Sequence, residues 1–291
     1  MTKTAWIFPG QGSQAVGMEA DLPDTSIGQA KFAQAEEILG WSILEKCRGD
    51  EAELSQTLYT QPCLYVVESI LADLLKEKGQ QPDVVAGHSL GEYSALYAAG
   101  VFDFITGLRL VKRRAEFMSA AAGGKMAALM KFNREQLEGA IATMSDVVIA
   151  NDNSAEQVVI SGTPAAVDAI LGQVKARRVV PLKVSGAFHS PLMTEATQQF
   201  KALLGAATFS EAKVPVLSNV NPVPATAATE LKQRLIAQMT GNVRWREIME
   251  QFPTVEVSLA VEVGPGKVLT GLLKRTYRDL SLRNVGSLAD L

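Results

Sequence analysis

The sequence predicts an α/β protein with a mostly parallel sheet in a larger domain and a small βαββαβ domain inserted into it. Three observations predict this. Short apolar strands run straight into glycine turns and then into helices, as in parallel α/β packing. One such turn is Gly87-His88-Ser89-Leu90-Gly91, a Gly-x-Ser-x-Gly elbow between strand and helix. After Gly123-Gly124 the texture changes to the order β-α-β-β-α-β, the ferredoxin-like signature. The expected domains are 1–123 with 197–291 for the larger one and 124–196 for the insert.

The elements follow in order. The first strand, residues 5–8, leads into Pro9-Gly10-Gln11-Gly12-Ser13-Gln14, where the backbone can approach a ligand closely. This run is neither a dinucleotide fingerprint nor a Walker loop, since the third glycine and the Gly-Lys-Ser/Thr are missing. A polar, helix-rich region covers 27–58. Thr60-Gln61-Pro62 then opens an amphipathic helix with Leu64, Val67, Leu71, Leu74 and Leu75 on one side. Thr60 reads as its N-cap and Pro62 as a residue near its first position, with Gly79 as the stop. The run 84–86 is short, apolar and β-branched, a buried strand. The helix after it repeats Leu90, Tyr93, Leu96 and Tyr97 and stops at Gly100.

A helix over 103–122 carries the stripe Phe104, Leu108, Val111, Ala115 and Met118. Arg114 falls on the edge of that stripe and Arg113 on the opposite face, so Arg114 needs a partner: a structural carboxylate or a substrate anion. In the insert, strands 126–130, 147–150, 158–161 and 178–184 enclose helices 135–144 and 165–175, and Asn151 and Asn153 fall in a turn. Helices at 195–204, 229–238, 245–251 and 267–276 complete the larger domain with strands 214–218 and 257–263. Gly264-Pro265-Gly266 is read as a structural turn.

The chemistry centres on Ser89. A serine on a sharp turn at a helix N-terminus meets free backbone N–H groups and a dipole that favours developing negative charge, which makes it a nucleophile; the alternative is an N-cap in a glycine-bounded turn. The chain has two histidines. His88 adjoins Ser89, and consecutive side chains diverge on such a turn, so His189 in Phe188-His189-Ser190 is the better base.

The weak net charge of −3 does not suggest a wholesale nucleic-acid or membrane-surface role. Cys47 and Cys63 have no ligand-type spacing, so neither a disulfide framework nor a metal site is expected. No basic n-region with an apolar core and no bilayer-length apolar run occurs, and a cytoplasmic protein is expected.

Taken together, several motifs in order resemble the malonyl-CoA:acyl carrier protein transacylases of bacterial type II fatty-acid synthesis, a family that includes polyketide-synthase acyltransferase domains. They are residues 8–14, Thr60-Gln61-Pro62, the elbow from Gly87 to Tyr93, Phe188-His189-Ser190, Asn242-Val243-Arg244-Trp245 and residues 262–267. The resemblance covers essentially the full length. Ala115 stands where the family usually has glycine after its substrate arginine. The resemblance implies an α/β-hydrolase-like larger domain with the active site in the cleft beside the ferredoxin-like insert. Ser89 would carry the acyl group and His189 would be its base. The N–H groups of Gln11 and Leu90 would form the oxyanion hole, and Arg114 would hold the malonyl carboxylate. Gln61, Asn153 and Phe188 would contact substrate, and a main-chain carbonyl near Arg244 would orient the imidazole. The resemblance further implies malonyl-CoA as substrate, acyl carrier protein bearing phosphopantetheine as partner, no permanently bound cofactor, and a monomer. A basic docking face for an acidic carrier could come from Lys175, Arg177 and Arg178, or from Lys274, Arg275 and Arg278; either cluster also fits an ordinary solvated face.

Overall fold

A computed structural model describes residues 3–184 and 186–291. Two sheets organise the chain. The larger is parallel throughout and has five strands in the order β7-β2-β1-β8-β9. These are β1 (Lys3–Phe8), β2 (Val84–Gly87), β7 (Val216–Leu217), β8 (Val257–Val263) and β9 (Ser281–Val285). The smaller is antiparallel, in the order β4-β5-β3-β6, from β3 (Lys125–Phe132), β4 (Val147–Ser154), β5 (Gln157–Gly162) and β6 (Ala176–Pro181). With α7 (Arg134–Ala142) and α8 (Pro164–Gln173) it makes the ferredoxin-like unit that the sequence predicts.

Strand alternation divides the core of the large unit. Trp6 and Phe8 of β1 face one cluster and Ala5 and Ile7 face another. The first cluster is filled by α1 (Ser26–Leu39), α2 (Ile43–Arg48), α3 (Glu51–Leu54), α4 (Thr57–Glu77), α5 (Gly91–Ala98), α6 (Phe104–Ala120), α9 (Thr194–Ala206) and α10 (Ala228–Gln238). The second is covered by α11 (Trp245–Thr254) and α12 (Val268–Thr276). Helix α4 is buried without a break from Thr60 to Ala72, which makes it the central core helix. Arg113 points outward to Glu116, whereas Arg114 is buried.

Three expectations are corrected. Helix α4 begins at Thr57 behind Gln56, so Thr60 and Pro62 lie inside it. The buried Thr60 hydroxyl donates to Leu54 O, and packing of this first turn overrides the local start signal. Asn151 and Asn153 are in β4, not in a turn. Past Ile149 the pairing with β5 shifts register, and the strand continues on hydrogen bonds from outside its sheet: Val243 N–H donates to Ala150 O at 2.8 Å and Asp152 N–H to Val243 O at 2.9 Å. That crossing ties the small sheet to the segment before α11. Strand β9, which the sequence reading left out, completes the edge of the parallel sheet beside β8. The Gly-Pro-Gly turn is anchored by Glu262, whose buried carboxylate accepts from the N–H groups of Leu269 and Thr270 at the start of α12.

Candidate active site

The elbow between β2 and α5 holds Ser89 at φ 53°, in the left-handed region. Glycine is obligatory on both sides. A Cβ on Gly87 would lie 1.9 Å from the Gly91 carbonyl carbon, and one on Gly91 would lie 2.1 Å from Phe8 O. Side-chain amides stabilise the strained serine. Its N–H donates to Asn219 Oδ1 at 2.7 Å, Asn219 Nδ2 donates to Gly87 O at 2.6 Å, and Gln238 Nε2 donates to Ser89 O at 2.8 Å.

His189 meets Ser89 across the cleft, with Nε2 2.7 Å from Ser89 Oγ. Its Nδ1 faces two carbonyls, Gln238 O at 3.0 Å and Gly241 O at 3.1 Å. Carbonyls only accept, so the proton sits on Nδ1 and the bare Nε2 accepts from the serine hydroxyl. Burial, reinforced by the nearby Arg114 charge, pushes the imidazole down to about 3, so the ring is neutral and available as a base at ordinary pH. The carbonyl of Arg244 does not orient this ring. It accepts instead from Ile248 N–H in the first turn of α11, while the guanidinium engages Glu247. The end of α10 serves because its last carbonyls lack intrahelical partners. His88, also depressed by burial, turns away from Ser89 and pairs through Nε2 with Asn153 Oδ1 at 2.8 Å.

Arg114 is 1 % exposed and makes three contacts: Nη1 to Gln61 Oε1 at 2.7 Å, Nη2 to Ser89 Oγ at 3.0 Å and Nη2 to Gln238 Oε1 at 3.1 Å. It also lies 5.4 Å from the Tyr93 ring centroid. Among the described residues no carboxylate forms an ion pair with it. A cation buried at the nucleophile with no carboxylate in ion-pair contact has the chemistry to meet an anion in the cleft. The cleft around it is lined by Gln11, Gln61, Leu90, Asn153 and Phe188, and Arg275 stands at its edge. The N–H groups of Gln11 and Leu90 have no backbone acceptor among the described residues, and Leu90, the N-cap of α5, directly follows Ser89.

The geometry therefore brings Ser89, His189, Arg114 and Gln61 into one hydrogen-bonded group. Asn153 and Phe188 stand on the wall. Arg244 stands outside it. Sequence reasoning missed Asn219, Gln238 and Glu92. Gln238 carried a signal, since it lies seven residues after Leu231 and three after Leu235 on the buried stripe of α10. Asn219 follows β7 at the carboxyl end of the parallel sheet, where sites of open α/β sheets form.

Comparison with known proteins gives the family. The acyl transferase domain family matches residues 5–289. The malonyl CoA-acyl carrier protein transacylase of Synechocystis sp. is 65 % identical over 289 residues, 99 % of each chain. The crystal structure of the Synechocystis enzyme superposes with a TM-score of 0.98 at 64 % identity, covering 99 % of both chains. A malonyl-transacylase solved in complex with a type II polyketide synthase acyl-carrier protein gives 0.93 at 36 % identity, covering 99 % of this chain and 97 % of that one. The chain belongs to the acyl transferase family, in the company of the malonyl CoA-acyl carrier protein transacylases.

Proposed function

We propose that this chain moves the malonyl group from malonyl-CoA to the phosphopantetheine thiol of an acyl carrier protein through a malonyl-Ser89 intermediate, supplying fatty-acid elongation. The observation that carries the reading is Arg114, a buried cation in no ion pair with a carboxylate among the described residues, 3.0 Å from the nucleophilic oxygen. Its planar fork matches a carboxylate, and an acetyl group would leave the charge unpaired.

His189 Nε2 takes the Ser89 proton as Oγ attacks the thioester carbonyl. The N–H groups of Gln11 and Leu90 receive the tetrahedral oxyanion. The negative end of α10, through Gln238 O and Gly241 O, stabilises the imidazolium that forms. Collapse expels coenzyme A as its thiol takes the proton, leaving malonyl-serine. The carrier's thiol then attacks, giving its proton to His189, and the reverse sequence regenerates Ser89–OH in a ping-pong cycle. Gln61 holds Arg114 in place, Asn153 and Phe188 bound the substrate, and Phe188 tightens the pocket against α-branched acyl groups. Residues 124–196 act as the small domain that closes one side of the cleft.

No helix among the described residues is long and apolar enough to cross a membrane. The proposed setting is the cytoplasm, with the chain as a monomer. The test follows coenzyme A release and malonyl-carrier formation together. One malonyl-carrier per coenzyme A supports the transferase; free malonate released at the same rate without carrier makes the chain a hydrolase.

A further inference from the structure

One buried carboxylate lies behind the whole catalytic group, and neither the acyl transfer nor carboxylate recognition uses it directly. Glu92 stands on α5, three residues after the nucleophile, and is fully buried. Its Oε2 accepts from Gln238 Nε2 at 2.7 Å and from Asn219 N–H at 3.2 Å. These are the two side chains that grip the elbow. Asn219 holds Ser89 N–H and Gly87 O; Gln238 holds Ser89 O and Arg114, and its own carbonyl faces His189 Nδ1.

The Gln238 amide can sit in one way only. Arg114 is a donor and must meet Oε1; Glu92 and Ser89 O are acceptors and must meet Nε2. Both Nε2 hydrogens are thereby used. Removing the Glu92 acceptor leaves two buried N–H groups unmatched, on Gln238 Nε2 and Asn219, and releases the Gln238 amide from its second anchor, so the far end of that amide, at Arg114, loses its fixed position. We infer that Glu92 is a positioning residue: through Gln238 it sets the placement of the arginine that receives the acyl carboxylate, and so the preference for a malonyl over an acetyl group. The inference rests on the reading of Arg114 as that receptor.

The experiment compares kcat/KM for malonyl-CoA and acetyl-CoA, with holo-carrier as acceptor, in Glu92→Leu, Glu92→Gln, Gln238→Met, the Glu92→Leu/Gln238→Met double variant and Arg114→Ala. A displaced arginine lowers the malonyl-to-acetyl preference roughly tenfold or more in both Glu92→Leu and Gln238→Met. The double variant falls no further than either single, because the two residues act as one unit. Glu92→Gln, which keeps an accepting oxygen, stays within about threefold of the native chain. A merely structural carboxylate would lower both substrates alike, in step with a lowered Tm, and that result overturns the inference. Gln238→Met leaves Glu92 in place, so a folded Gln238→Met with unchanged preference overturns it whether or not Glu92→Leu folds. Arg114→Ala separates the failures. If it keeps the malonyl preference, the receptor reading falls and the inference with it. If it loses the preference while Gln238→Met keeps it, the inference alone falls.

Discussion

Side-chain amides and backbone carbonyls of the large unit hold Ser89, Arg114 and His189. On the wall supplied by β4, the hold is ionic: Asp152 accepts from Arg134 at 2.9 Å and from Arg246 of α11 at 3.0 Å. Neutral ties also join the two: His88 to Asn153, and the backbone bonds of Val243 to Ala150 and Asp152. The difference follows from what each wall must keep. A carboxylate paired with Arg114 would quench the charge that an acyl carboxylate is to meet, and one on His189 Nδ1 would hold the ring protonated more readily. Neutral acceptors position both groups and leave their electrostatics unspent. The small-sheet wall only has to stay docked, so ion pairs at its margin suffice.

The largest effect expected from breaking the neutral grip is His189→Ala, which removes the base. Acylation of Ser89 by malonyl-CoA, read by rapid-quench mass spectrometry, falls roughly 10³-fold or more. A loss under tenfold would mean that another group takes the proton. Next comes Arg114→Leu. Malonyl kcat/KM falls about 10²-fold or more while acetyl kcat/KM changes by less than about tenfold; equal losses would make Arg114 a scaffold.

The pH dependence sharpens the same contrast. The folded-state value of His189, about 3, lies below its ordinary 6.5. Its neutral form therefore contributes stability above pH 6.5 that is lost as the pH falls toward 3. The Tm advantage of the native chain over His189→Gln should narrow across that window, and acylation per folded molecule should show no limb near 6.5. A limb there would place an ionised partner on the imidazole. The smallest effect belongs to the ionic wall. Asp152→Asn should cost about 1–2 kcal/mol in urea unfolding, because both arginines are partly exposed and screened. Acylation should change by less than about fivefold; a larger loss would make the ionic tie part of the site's geometry.

The elements whose own residues set their structure were legible in the sequence. The elbow needs glycine where Cβ atoms cannot fit, and the α6 stripe places Arg114 inward and Arg113 outward by spacing alone. What escaped depends on partners distant in the chain. Asn153 reads as a turn residue because asparagine favours turns, and long-range pairing with β5, resumed past a register shift and joined by the crossing of Val243 at Asn151, keeps the segment in a strand. Arg244 lay close to the right segment, yet its carbonyl is consumed by α11, and the carbonyls left over at the end of α10 face His189. Glu92 reads as an ordinary polar residue of a short helix, because its partners come 127 and 146 residues later.

The most direct test of the account is intact-protein mass after brief mixing with malonyl-CoA, for the native chain and Ser89→Ala, followed by pantetheine-loaded carrier protein. A malonyl adduct that requires Ser89, persists in water and moves to the carrier is the predicted result. An adduct that forms equally on Ser89→Ala, or that is lost as malonate before carrier is added, would contradict it.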